Sequence, residues 1–136
     1  MEMKKWKRRR FVPTWGDNHQ EEEPCVIVFH PPTVGWMSRW RELAVRAPSL
    51  GVETLGERMS EEGYLDSLTE WTEELQGFRE EIMRDLIVGV EALTMDGKDA
   101  DLSDALGFIL EHEGLREEVF AAILKEGAMS EAQGKD

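Results

Sequence analysis

Arg8–Thr33 reads RRRFVPTWGDNHQEEEPCVIVFHPPT and contains the two stretches of the chain most plainly suited to strands. Arg10–Trp15, RFVPTW, is aromatic and β-branched, and Cys25–His30, CVIVFH, is a continuous run closed off by Pro31 and Pro32. Between them, Gly16, Asp17 and Asn18 tolerate the backbone angles of a turn, and the acidic stretch Glu21–Glu23 belongs in water. The reading is an antiparallel hairpin with a long loop. Pro13 has no N–H to give a neighbouring strand, so its strand should lie at an edge.

Working outward, the rest of the chain reads as helix. Thr33 is placed to cap a helix over VGWMSRWRELAVRA, in which Met37, Trp40, Ala44 and Ala47 recur at helical spacing with Trp36 and Leu43 beside them. Pro48 ends it, because the residue before a proline is pushed out of the α region. Pro48–Tyr64 has no sustained period and reads as a connector. Leu65, Leu68, Trp71, Leu75, Phe78, Ile82, Leu86, Val90 and Leu93 then follow spacings of three or four, with Ser67 and Glu70 as a capping box at the start. A helix of about 26 residues, about 39 Å long, is expected there. That exceeds what a small domain needs, so part of its stripe should face another subunit. Asp96-Gly97 marks a turn, Ser103 caps a shorter helix that Gly114 ends, and Leu115, Val119, Ala122 and Ile123 line a last one.

These elements give an α+β, mainly α, fold: a small N-terminal β-hairpin followed by four or so helices. Residues 1–10 read as a basic flexible tip, 11–127 as one helical domain with the 48–64 connector inside it, and 128–136 as a polar tail that frays or extends the last helix. With 136 residues the chain has room for one core.

Charge separates the tip from the body. The net charge is −13, yet Met1–Arg10 carries +5, leaving −18 on the remainder. An acidic body repels nucleic acid and anionic lipid, so a nucleic-acid role would rest on KKWKRRR, Lys4–Arg10. The competing reading of that tip is a solvated arm that pairs with the acidic body of its own or a neighbouring copy. The single cysteine, Cys25, excludes an internal disulfide and fits a reducing cytoplasm as a buried structural thiol. No stretch has the length and apolarity of a membrane span, and no apolar signal core follows the basic start.

Catalytic patterns are missing. His19, His30 and His112 have no second ligand at metal-binding spacing, and Asp96–Asp101 fails as an EF-hand, since Gly97 at the sixth loop position puts Ala92 first and Ser103 twelfth. No nucleophile elbow and no phosphate-cradling glycine loop occurs. The expectation is a non-enzyme without cofactor or metal. The five tryptophans, at positions 6, 15, 36, 40 and 71, suit either a core or a contact surface.

The order of features has a family likeness. FVPTWGDN, Phe11–Asn18, an acidic stretch, then PCVIVFHPPT, Pro24–Thr33, leading into a helix resembles the N-terminal half of tail assembly chaperones of long-tailed phages and prophages. Arg84–Glu131, RDLIVGVEALTMDGKDADLSDALGFILEHEGLREEVFAAILKEGAMSE, is similar to that family's helix, DGK-type turn, leucine-rich helix and terminal amphipathic helix. The resemblance implies a cytoplasmic, self-associating acidic protein that coats the tape measure protein before tail tube polymerisation, has tail tube subunits as a further partner class, and is absent from the finished virion. It also implies a longer frameshifted product. The basic tip departs from the pattern. Expected contact residues are Phe11, Trp15, Val26, Val28, Trp36, Trp40, Leu75, Phe78 and Ile82, with the hairpin as a docking or self-assembly element. The alternative is a small nucleic-acid-associated regulator acting through the tip.

Overall fold

The computed structural model describes residues 8–47 and 64–134. β1 (Arg9–Phe11) pairs antiparallel with β2 (Val26–Phe29), and β2 pairs antiparallel with β3 (Ile87–Glu91), giving the order β1-β2-β3. The N-terminal hairpin is therefore present, with its strands shorter than the sequence suggested. Trp15 is not in a strand: it opens a 3-10 segment, Trp15–Gln20, in which Gly16 (φ 62°) and Asp17 (φ 58°) adopt left-handed backbone. β1 is an edge strand, as expected, but Pro13 lies beyond its end and does not impose that position.

Four α-helices complete the described chain: α1 (Val34–Val45), α2 (Tyr64–Leu86), α3 (Leu102–Glu111) and α4 (Glu113–Gly134). Thr33 caps α1, its side chain accepting from the N–H of Trp36. The largest correction falls at the end of α2. The helix does not run on to Leu93; it stops at Leu86 and the chain passes directly into β3. Ile87, Val88 and Val90 are β-branched, and an extended backbone there satisfies the second edge of the all-buried β2. The N–H of His30 donates to the Leu86 carbonyl at 2.9 Å, taking one of the acceptors a helix end leaves open.

Other boundaries move for local reasons. Ser67 and Glu70 lie inside α2, so they form no capping box at its start. Asp101, not Ser103, caps α3 by accepting from the N–H of Asp104 at 2.8 Å. Gly114 does not end α3: the break comes at His112, whose backbone is extended, and Gly114 sits in the first turn of α4. The Asp96-Gly97 turn is present with both residues at positive φ, joining two short strands, β4 (Thr94–Met95) and β5 (Lys98–Asp99). Arg9 and Arg10 belong to the sheet, so the tip is shorter than residues 1–10. Residues 128–134 extend α4, the second of the two outcomes expected for the tail. The connector expected over 48–64 falls outside the described residues except for Tyr64, which begins α2.

The core lies between the sheet and the helices. Ile27 and Phe29 pack with Leu43 of α1, Leu75, Phe78, Ile82, Met83 and Leu86 of α2, Leu106 and Ile109 of α3, and Leu115, Val119, Phe120 and Ile123 of α4. Burying such a side chain contributes about 1.5–3 kcal/mol.

Candidate interaction surfaces

α4 holds the N-terminal hairpin through two carboxylates on one of its faces. Glu118 accepts from the backbone N–H groups of Thr14 and Trp15 and, at 2.8 Å, from the Thr14 hydroxyl. Glu126, two helical turns on, accepts from Arg9 Nε at 2.9 Å. The sequence offered no signal for either partner, since each bond spans more than a hundred residues of chain.

A groove runs along this seam. Phe11 and Phe29 of the sheet and Ala121, Ala122 and Met129 of α4 give it apolar surface, and Arg10, Glu118, Lys125 and Glu126 supply charge. Its volume is about 530 Å³. The alanines leave the space, and Met129 stands 47% exposed beside them. Among the described residues β1 pairs with β2 alone, so its other edge is unpaired.

A second, smaller cleft opens beside the hairpin loop. Its volume is about 170 Å³, and Pro13, Trp15, Cys25, Val90, Leu93 and Phe108 give it a largely apolar wall, with Glu21 at the loop. Asn18 shapes it. Its side-chain amide donates to the carbonyls of Pro13 (2.8 Å) and Cys25 (3.0 Å), while its oxygen accepts from the Cys25 N–H at 2.8 Å. Trp15 meets Phe108 and His112 edge-on, with ring centroids 5.8 and 5.1 Å away. Cys25 is half-buried, and burial pushes its thiol up from the ordinary range.

The expected contact residues divide by burial. Val26, Val28, Leu75, Phe78 and Ile82 are all buried within the chain, so their area is already spent on its own fold. Trp36 and Trp40 are half-buried against the core: Trp36 meets Phe78 at 5.8 Å and donates through Nε1 to Asp85 at 3.0 Å, and Trp40 meets Phe120 at 5.5 Å. Trp71 donates to the Leu43 carbonyl at 2.9 Å. Phe11, in the groove, and Trp15, at the cleft, are the two from that set that line an open surface. The structure adds Ala121, Ala122 and Met129 to them.

Charge on the surface is locally paired. Arg10 donates twice to Glu91, and Arg39 donates to Glu81 at 3.2 and 3.0 Å. The hydrogen bond, then the cation's charge, holds each of these carboxyls below its ordinary range. Arg79, beside the Phe120 ring, is lowered chiefly by burial. Among the described residues no cluster of three or more His, Cys, Asp or Glu side chains could hold a metal ion, and no helix is long and apolar enough to cross a membrane.

The chain matches no protein-family model, no curated protein and no solved structure.

Proposed function

We propose that the chain is a non-enzymatic tail assembly chaperone that binds the tape measure protein of a long-tailed phage during tail morphogenesis. The observation that carries this is the groove between the β1–β2 pair and α4, apolar along Phe11, Phe29, Ala122 and Met129 and bordered by charge of both signs. Such a groove takes one apolar face of an amphipathic helix while the charged border meets its flanks. A long helical protein made before its tube would otherwise expose those faces to one another. The same structure weighs against the nucleic-acid reading, because Arg9 and Arg10 are already engaged by Glu126 and Glu91.

Co-expression with the tape measure protein that a phage gene order would place just downstream tests this. The expected result is that the partner becomes soluble and co-elutes in high salt, and that Ala121→Arg, at an exposed groove position, abolishes the rescue with circular dichroism unchanged. Rescue that Ala121→Arg leaves intact would remove the groove from the mechanism. No rescue by the parent chain would end the chaperone reading.

A further inference from the structure

We propose that the cleft beside Trp15 receives the basic N-terminal tip of a second copy of this chain, with Trp6 as the inserted side chain. The inference goes beyond the chaperone reading and does not depend on it.

The cleft has the size and lining for a ring. An apolar cavity of roughly 150 Å³ takes a benzene molecule, and this one, of about 170 Å³, opens to solvent, so part of an indole enters while its edge stays outside. Trp15, Phe108, Val90 and Leu93 offer aromatic and branched surface. Tryptophan is the side chain that gains most from such a place, with roughly 150–250 Å² to bury.

The charge at the cleft chooses among aromatic segments. Glu21 and Cys25 both line it, and the loop joining them carries Glu21, Glu22 and Glu23, all exposed; Asp17 is exposed on the adjoining turn. No Lys or Arg lines it among the described residues. The matching segment is an aromatic residue flanked by cations. Within this acidic chain that combination occurs at Trp6, which lies between Lys4, Lys5, Lys7 and Arg8, and at Trp40, between Arg39 and Arg41, but Trp40 is already packed against Phe78 and Phe120.

Reach decides that the donor is another copy. Trp6 is two residues before Arg8, about 7 Å of fully extended chain. Pro13, the cleft residue nearest in sequence, is five residues after Arg8 along a stretch that includes β1, roughly 17 Å if extended. To serve its own cleft a tip would have to reverse at Arg8 and run back along β1 past the buried inner rim at Ile27, whose strand partner Phe11 is about 10 Å from Arg8, before its ring met the open part beside Trp15. A neighbour's tip has no such restriction. Donor and acceptor are different patches, so two copies exchanging tips close a two-fold dimer, and one-way donation leads to rings or filaments.

Cys25 supplies the readout, because it lines the cleft and is the chain's single cysteine. The chain is followed by sedimentation and by the rate at which iodoacetamide alkylates Cys25, over a range of concentrations. Self-association that weakens with salt, with Cys25 alkylation slowing on concentration, is expected; Trp6→Ala loses both. A synthetic peptide of residues 1–8 added to the Trp6→Ala chain then slows alkylation about 10-fold, the factor that nine-tenths occupancy gives by mass action. The same peptide has no effect on a chain in which Glu21, Glu22 and Glu23 are changed to Lys, with helicity checked by circular dichroism. The proposal is overturned if the Trp6→Ala chain associates like the parent, or if the peptide fails to protect Cys25. It is equally overturned if Cys25 is protected in a chain that stays monomeric throughout, since the tip would then be serving its own cleft.

Discussion

Gly77 in α2 and Gly127 in α4 occupy the two long helices of this protein, and their surroundings are opposite. A Cβ at Gly77 meets nothing within 4 Å, whereas one at Gly127 would lie 2.7 Å from the Pro32 ring and closer still to Met37 Sδ. α2 is an amphipathic helix of the ordinary kind: Leu75, Phe78, Ile82, Met83 and Leu86 are buried, and its exposed acidic side is braced to α1 by Arg39–Glu81 and Arg46–Glu74. α4 is engaged around more of its circumference. It packs into the core through Val119, Phe120 and Ile123, grips the hairpin through Glu118 and Glu126, and lets α1 and the proline turn before it come into contact at Gly127. Where a helix is surrounded in this way its small and charged residues become structural, and where it is not they are interchangeable.

The two glycines break the comparison most directly. Gly127→Ala should destabilise by about 1–3 kcal/mol, because the rigid Pro32 ring has to move for the methyl to fit. Gly77→Ala should stabilise by about 0.5–1 kcal/mol, through helix propensity alone. Urea unfolding of the two variants measures both. Equal shifts of one sign would mean that the contact of α4 with Pro32 and Met37 relaxes at little cost.

A smaller effect is expected at Glu118, the polar counterpart of that contact. Removing it in Glu118→Ala leaves the Thr14 and Trp15 N–H groups without their acceptor, which costs about 1–2 kcal/mol. The loss should be local. Amide exchange should quicken at Thr14 and Trp15 while α2 is unchanged; uniform quickening would show that the hairpin and the helices open as one unit.

The same contrast explains what could be read from the sequence. The hairpin was legible because CVIVFH is too β-branched and too sharply bounded by proline to be anything else, and Thr33 and Asp96-Gly97 identified themselves by local chemistry. β3 was not, because Val90 and Leu93 continue the spacing of α2, and the strand is chosen by the second edge of β2, sixty residues away. Glu118 and Glu126 carry no pattern on the last helix that sets them apart from its other glutamates. Their partners lie at the opposite end of the chain, which no periodicity reports. The groove was half visible for the same reason: Phe11 was marked, but Ala121 and Ala122 matter for the space they leave, and smallness on a helix is ordinary.

The faintest expected effect separates charge from shape on the side of the molecule where charge is exposed. Arg39 and Arg10 hold the Glu81 and Glu91 carboxyls below their ordinary value of 4.5. A carboxyl depressed in the folded chain contributes its stability above its unfolded value and loses it as pH falls through the folded one. The window therefore lies in acid, below the usual carboxylate range. Both groups are fully exposed, so solvent screens them and the contribution is small. Overall stability follows a different course at first, since the chain carries −13 at neutral pH and protonating its acidic surface relieves self-repulsion. The informative quantity is thus the difference between the parent and Glu81→Gln, or Glu91→Gln, followed from neutral pH into acid. That difference should be slight at neutral pH, shrink in molar salt, and close as the parent's carboxyl takes up its proton. A difference that persists into acid would assign the glutamate a packing role, and at Glu81 the exposed side of α2 would then resemble α4 more closely than its open glycine suggests.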